Sequence, residues 1–405
     1  MLSCLDLERF QIPQVTGLRT PLQRLTRLSR DFPDSDMPDS LPEASSLPGE
    51  EGQKIAPPEL CRLLAFPAIG RKTGDESWRV EVEGFIYQRG EIGLRKRMLL
   101  RVLRRFMKAD AADLNNPLFQ QRVEAFVAGT ERGHCPTFRV ADGTYHPARR
   151  TYRNGRYTGA IEVPADKVPG SEASGKSTAT TAAIPSRLEV KLGEHGEAVA
   201  EAPAFLIPET GVSLVSDIDD TIKITNVRQR REMLVNTFLK PFEAIDGMAS
   251  VYQRLAASEV VFHYVSSSPW QLYEPLADLL NQAEFPAGSI HLRNFRLRDH
   301  MLRRMFLLHR RGKGGVIRHL IEMFPQRKFL LVGDSGERDP KIYAGLARQF
   351  PDQVLGILIR LLHKSDEESL RERFEEHPSV WSKFHLFTHP ETLESQCHEL
   401  LGTQV

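Results

Sequence analysis

Val215-Ser216-Asp217-Ile218-Asp219-Asp220-Thr221 decides how this chain is read: an apolar run ends in three carboxylates within four positions. Like charges this close repel, and burying them is costly unless a cation offsets them. Taken alone, the cluster has two readings. One is a metal site or acid/base pair at the end of a buried strand. The other is a solvated acidic turn. The sequence on either side separates them.

From Gly211 onward, apolar runs of strand length alternate with helical patterns. Strands are expected at 213–216, 260–265, 329–332, 354–359 and 384–387, and helices at 243–256, 271–282, 315–323, 341–349 and 391–401. Continuous apolar strands are buried on both faces, which implies a parallel sheet wrapped by helices, the doubly wound α/β class. Ligands of such sheets bind at the carboxyl ends of the strands. After the first run come Asp217, Asp219 and Thr221; after the second, Ser266, Ser267, Ser268 and Pro269. The third is followed by Gly333-Asp334-Ser335-Gly336-Glu337-Arg338-Asp339-Pro340, and Gly312-Lys313-Gly314-Gly315 stands at an expected helix start before it.

Phosphoryl transfer needs this set of groups. A carboxylate nucleophile attacks phosphorus and forms an acyl phosphate. A second carboxylate two residues on protonates the leaving oxygen and then deprotonates the attacking water. Magnesium offsets the repulsion between carboxylate and phosphate, and uses few protein ligands because it keeps waters. A hydroxyl and a lysine hold the other phosphate oxygens.

The order and spacing of Asp217-x-Asp219-x-Thr221, Ser266, Lys313, and Gly333-Asp334 with Asp339 resemble the haloacid dehalogenase superfamily of aspartate-nucleophile phosphatases. The resemblance implies a HAD-like fold with Asp217 as nucleophile and Asp219 as acid/base. It implies phosphate binding by Thr221, Ser266 and Lys313. It also implies magnesium ligation by Asp217, the backbone carbonyl of Asp219 and Asp334, with Asp339 supporting the metal shell directly or through water.

A closer resemblance lies in three longer stretches. They are Ser216-Asp217-Ile218-Asp219-Asp220-Thr221-Ile222-Lys223-x-Thr225, Tyr264-Val265-Ser266-x-Ser268-Pro269-Trp270-Gln271-Leu272-Tyr273, and Gly333-Asp334-Ser335-Gly336-Glu337-x-Asp339-Pro340-x-Ile342-Tyr343. Together with Gly356-Ile357-Leu358-Ile359-Arg360 they are similar to the catalytic domain of the actin-patch-type phosphatidate phosphatases and their bacterial relatives, over about residues 205–362. Residues 78–163 also resemble the N-terminal part common in the bacterial relatives. The implied activity is magnesium-dependent hydrolysis of a phosphomonoester, phosphatidate giving diacylglycerol and phosphate. Two alternatives stand beside it: a phosphatase of soluble metabolites or phosphoproteins, and a non-catalytic phosphatidate-sensing module. Silent relatives are expected to lose the nucleophile, whereas Asp217 and Asp219 are both present.

The gaps between motifs leave room for only a small flap near 226–235 and a short segment near 284–311. The expectation is a lightly capped, open site suited to a bulky or surface-embedded substrate.

Upstream, Val80 and Val82 alternate with Arg79, Glu81 and Glu83, a strand pattern. Leu94, Met98, Leu99, Val102, Leu103, Phe106 and Met107 fall on one face of a helix whose other face is basic. A second helix is expected at 121–128, and hairpins at Asp142-Gly143 and Asn154-Gly155. The expected organisation is a weakly structured segment 1–58, a smaller β-rich domain 60–205 with helical insertions and a loop 165–185, and a catalytic domain 206–405 with its core at 211–362. Gly170-Ser171-Glu172-Ala173-Ser174-Gly175-Lys176-Ser177 fits the phosphate-loop pattern by letter. That loop works only between a buried strand and a helix, and here prolines at 169 and 185 flank it, so the match is read as accidental.

The chain has 405 residues with 54 Lys and Arg against 53 Asp and Glu, so bulk charge names no partner and no nucleic acid is expected. Its four cysteines form no Cys-x-x-Cys pair, which makes a reducing compartment the default. No apolar run approaches the roughly 20 residues of a membrane span, and no signal peptide is read at Met1. The expectation is a cytoplasmic protein, any membrane contact being peripheral at the inner face. The basic, partly apolar segments 94–108 and 293–311 have two readings, a contact for an anionic lipid surface and a solvated helix face. Trp270 is read as packing, the histidines show no metal-ligand spacing, and Asp220 is left between tuning the nucleophile and facing solvent. The sequence leaves the oligomeric state open.

Overall fold

Val80 and Val82, buried, alternate with half-buried Arg79 and Glu81 along one long strand, as their spacing predicts. The structure, a computed structural model, describes residues 57–402 except 75, 89–93, 142, 169–180, 194 and 295–311. The chain divides into Met1–Lys54 and Ile55–Val405, and the two sheets below belong to the second unit. The expectations for residues 1–56, the phosphate-loop match at 170–177 and most of the basic segment 293–311 lie outside the described residues.

The first sheet comprises β1 (Arg62–Ala65), β2 (Ala68–Lys72), β3 (Ser77–Gln88), β4 (Gly129–Thr130), β5 (Thr137–Val140), β6 (His146–Pro147), β7 (Arg156–Pro164), β8 (Ile184–Leu192) and β9 (Ala198–Ile207). Its order is β1-β3-β2-β9-β8-β5-β6, with β4 and β7 also pairing β3. The sheet curls around its own core of Val80, Val82, Phe138, Val190 and Leu206. Between β3 and β4 run three helices, α1 (Leu94–Met107), α2 (Ala111–Asn115) and α3 (Pro117–Val127). Leu99, Leu103 and Met107 of α1 are buried, while Arg97, Arg101, Arg104 and Arg105 face solvent. Phe106 belongs to the expected apolar face but is 37% exposed.

The second sheet is parallel throughout, in the order β12-β11-β10-β13-β14-β15. Its strands are β10 (Val212–Ser216), β11 (Val261–Pro269), β12 (Gly288–Arg293), β13 (Lys328–Asp334), β14 (Val354–Arg360) and β15 (Phe384–Phe387). The chain starts at the centre, builds outward to β12, then returns to build the other side from β13. That reversal at β10 is the switch point at which such sheets form their ligand crevice. Leu214 and Val215 are adjacent, fully buried and in different cores, as are Leu330 and Leu331. Successive side chains point to opposite faces, so both faces are covered, as continuous apolar runs require. The covering helices include α4 (Arg230–Phe238), α5 (Met248–Ala257), α6 (Tyr273–Gln282), Lys313–Met323, Asp339–Gln349 and Pro390–Gly402.

One face of the parallel sheet shares its core with the upstream half of the chain. Phe85, Leu99, Leu103, Phe119 and Phe126 pack in the same cluster as Leu214, Phe238 and Val332. Trp270 is a packing residue, as expected: it is buried and stacks on Phe85 at 4.3 Å between ring centroids. Arg327, fully buried, donates to the carbonyls of Pro208 (2.9 Å) and Val212 (2.8 Å), fastening the link between the two sheets to the base of β13.

Candidate active site

Asp217 follows β10 directly, and its amide donates to Val332 O at 2.9 Å, which locks it between β10 and β13. Asp334 ends β13, and Asp339 opens the helix Asp339–Gln349 with Pro340 in its first turn. Asp217, Asp334 and Asp339 are each no more than 1% exposed, and one oxygen from each lies within 4.8 Å of the others. Lys313, the first residue of its helix, brings its ammonium to 2.7 Å from Asp217 Oδ1 and 2.6 Å from Asp339 Oδ1.

Three buried carboxylates thus face one ammonium. Among the described residues Asp334 Oδ2 has no hydrogen-bond donor, and Asp217 Oδ1 is met by Lys313 alone. The imbalance shows in the proton affinities. Burial, reinforced by Asp339 and Asp219 and opposed by Lys313, pushes Asp217 up to about 7. Burial and the neighbouring Asp339 and Asp217 push Asp334 well above the ordinary carboxylate range. Lys313 goes the other way: burial alone would lower it, but Asp217 and Asp339 hold it well above a free lysine.

Asp219 sits in a different setting. Its Oδ2 accepts from Ser266 Oγ (2.9 Å) and Ser268 Oγ (2.7 Å), and its Oδ1 accepts from Thr225 Oγ1 (2.8 Å) with Lys223 Nζ also at 2.8 Å. Burial opposes the charge, but Lys223 and these donors outweigh it and hold Asp219 well below the ordinary carboxylate range. Two carboxylates two residues apart are therefore pushed in opposite directions, with the expected nucleophile raised and the expected acid/base lowered while no cation or phosphate is bound.

Of the residues that the sequence singles out, Asp217, Asp334, Asp339 and Lys313 converge on one point. The Asp219 carboxylate stands outside that cluster, and the Ser266 hydroxyl is engaged with it. Thr221 is fully buried and its hydroxyl lies 3.4 Å from Asp217 Oδ2. Asp220 neither tunes the nucleophile by contact nor faces solvent. Its buried carboxylate accepts the amides of Thr225 (2.8 Å), Asn226 (2.7 Å) and Val227 (2.6 Å), so it caps the start of the flap. Lys223 and Thr225 are site residues to which the sequence assigns no role, although both stand in the first stretch that carries the family resemblance and Lys223 lies four residues from Asp219. Glu337 is a further addition. Burial and the charge of Asp217 push its carboxyl well above the ordinary range.

Gly333 has a single steric reason. A Cβ there would lie 2.3 Å from Asp339 Oδ2 and 2.8 Å from Asp339 Cβ. Gly333→Ala must displace Asp339, and with it the Lys313 pair. The expected result is a loss of activity of about a hundredfold or more with a modest loss of stability, read by phosphate release and thermal melting on the same sample.

Known proteins share this region. Residues 212–361 match the family described as phosphatidate phosphatase APP1, catalytic domain. The phosphatidate phosphatase APP1 of Saccharomyces cerevisiae is 35% identical over 236 residues, which are 52% of this chain and 40% of that protein. An uncharacterized protein of Schizosaccharomyces pombe is 34% identical over 166 residues, 40% of this chain and 27% of that protein. The chain thus spans well under half the length of both relatives. The matched region runs from β10, the strand that leads into Asp217, to just beyond β14, and contains every candidate catalytic and metal-binding residue named above: the family resemblance carried by the motifs is to the phosphatidate phosphatase APP1 catalytic domain.

Proposed function

We propose that the protein is a magnesium-dependent phosphatidate phosphatase, with residues 206–405 as a HAD-like, lightly capped catalytic domain and 60–205 as its N-terminal domain. The observation that carries the reading is the convergence of Asp217, Asp334, Asp339 and Lys313 at the carboxyl ends of β10 and β13. The match of this region to the phosphatidate phosphatase family supports the lipid substrate.

The donor set fits a hard divalent cation: all oxygen, with Asp334 Oδ2 unpaired among the described residues, Asp217 Oδ1 met by Lys313 alone, and a surplus of negative charge. Asp217 and Asp334 would hold it with the Asp219 carbonyl, and Asp339 would support them while orienting Lys313. When bound, magnesium neutralises phosphate charge and favours the ionised form of Asp217.

The chain's own groups then divide the work. Asp217 attacks phosphorus, the bond from phosphorus to the alcohol oxygen breaks, and Asp219 gives that oxygen its proton. Water next attacks phosphorus, Asp219 takes its proton, and the bond to Asp217 breaks to release phosphate. Asp219 starts as a strongly stabilised carboxylate. As a phosphate dianion binds, like-charge repulsion raises the proton affinity of Asp219, which takes from water the proton that it then gives to the leaving oxygen. Lys313 stabilises the charge that develops on the phosphoryl oxygens, and Ser266 and Thr221, whose hydroxyls stand beside Asp219 and Asp217, would bind phosphate with it.

Among the described residues no helix is long and apolar enough to cross a membrane. A lipid substrate therefore calls for peripheral contact with an anionic surface, on the cytoplasmic side in this reading. The test is phosphate release from phosphatidate in mixed micelles. Release with magnesium, lost on chelation and restored by adding magnesium back, is expected. Release unaffected by chelation, or confined to soluble phosphomonoesters, contradicts the reading.

A further inference from the structure

A pocket opens beside Asp219, and its walls come from both halves of the chain. Val227, Met233, Leu234 and Phe238 come from the flap and α4, Leu272 from the turn after β11, and Phe126 from α3. Polar groups stand only at Asp219 and its partners Thr225 and Ser268, at neighbouring Ser267 and Thr237, and at Arg293 and Glu337. Half of the lining is thus polar and gathers around Asp219, while the side made by the flap, α4, Leu272 and Phe126 is apolar.

Resting on the phosphatase reading above, we infer that this pocket receives the apolar part of the leaving alcohol, and that α3 of the N-terminal half, which brings Phe126 to its wall, serves as the cap that selects it. The position of Asp219 gives the direction. The leaving oxygen takes its proton there, so the carbon atoms attached to that oxygen must continue into the space on the same side. A free small alcohol has no use for apolar walls; an acylated glycerol does.

The helices are fixed in place as a cap must be. Arg122 of α3 is 5% exposed, donates from Nη1 to the carbonyls of Thr237 and Lys240, and lies 4.1 Å over the Phe242 ring. From the other side, Arg231 Nε donates to Met107 O at 2.9 Å. Phe126 packs on Phe238 at 5.2 Å between centroids, and Phe119 at 6.4 Å. These contacts clamp α4, the wall between the first motif and α5, against helices that lie outside the family match of 212–361. The segment between the first two motifs is too short for a large cap, and the upstream helices fill that place.

The test compares two substrates with the same phosphate chemistry, dihexanoyl phosphatidate below its micelle-forming concentration and glycerol 3-phosphate. Using monomers removes surface binding from the measurement. Two variants of the full chain change the wall: Phe126→Ala, and Met233→Glu, whose side chain is only half-buried and is the safer variant for folding. The expected result is that the ratio of kcat/KM for dihexanoyl phosphatidate to that for glycerol 3-phosphate falls about tenfold or more, chiefly through KM for the lipid. If Phe126→Ala does not fold, Phe126→Leu takes its place as the test of the cap, and Met233→Glu tests the pocket. A ratio within twofold of wild type in the folded variants overturns the inference, as does a wild type that hydrolyses only glycerol 3-phosphate. A wild type that releases phosphate from neither substrate with magnesium overturns the phosphatase reading and this inference with it.

Discussion

Asp217→Asn is expected to reduce phosphate release from phosphatidate by at least about a thousandfold without unfolding the protein. The amide keeps the shape of the side chain but cannot attack phosphorus, and no other carboxylate stands in its place. Asp334 and Asp339 belong to the same cluster, yet Asp339 is held by both its oxygens on Lys313 and Asp334 accepts the amides of Gly336 and Glu337. The variant also separates loss of function from loss of structure. Burial and its acidic neighbours already push Asp217 up to about 7, so replacing it by a neutral isostere relieves repulsion in the metal-free protein. A melting temperature equal to or above wild type, with activity gone, is the expected pair of results. Activity within tenfold of wild type would remove Asp217 from the mechanism.

Lys313→Met is expected to have the second largest effect, on stability and activity together. Among the described residues its buried ammonium is the cation that pairs with both Asp217 and Asp339. Breaking a buried ion pair on one side costs about 3–5 kcal/mol, because the partner is left uncompensated. Proton uptake by the carboxylates returns part of that cost. The metal-free variant should melt several degrees lower, and magnesium should restore more stability to it than to wild type. Phosphate release should fall about a hundredfold to a thousandfold even with magnesium saturating, since the proposed mechanism makes Lys313 the donor to the phosphoryl oxygens. Melting curves with and without magnesium, and kcat at saturating magnesium, check both parts. An unchanged kcat would leave Lys313 as a structural counter-ion only.

The parts legible in the sequence are those where one residue type has few uses. Carboxylates at the ends of apolar runs, and a lysine among glycines, announce themselves, and the continuous runs around Leu214, Leu330 and Ile357 mark a sheet covered on both faces. Strand β12 is not legible in this way. Its Gly288-Ser289-Ile290-His291-Leu292-Arg293 alternates polar with apolar at the edge of the sheet and runs straight into the basic segment that begins at Arg293. Helix α4 reads as a short flap because Arg230-Arg231-Glu232-Met233-Leu234-Val235-Asn236-Thr237-Phe238 has only a weak apolar face; packing on α1 and α3 makes it a helix. The task of Asp220 lies in backbone amides five to seven residues ahead, which no side-chain pattern reports. Phe126 lies about ninety residues upstream of Asp219, and only the fold brings it to the pocket.

The mechanism requires the phosphoryl group to pass through Asp217. Acid quench of the enzyme during turnover of phosphatidate with magnesium, followed by borohydride reduction and peptide mass spectrometry, tests this directly. An aspartyl phosphate reduces to homoserine, so homoserine is expected at position 217 in wild type, dependent on substrate, and none in Asp217→Asn. Rapid phosphate release with no homoserine at 217, or with the modification at another residue, would contradict the mechanism.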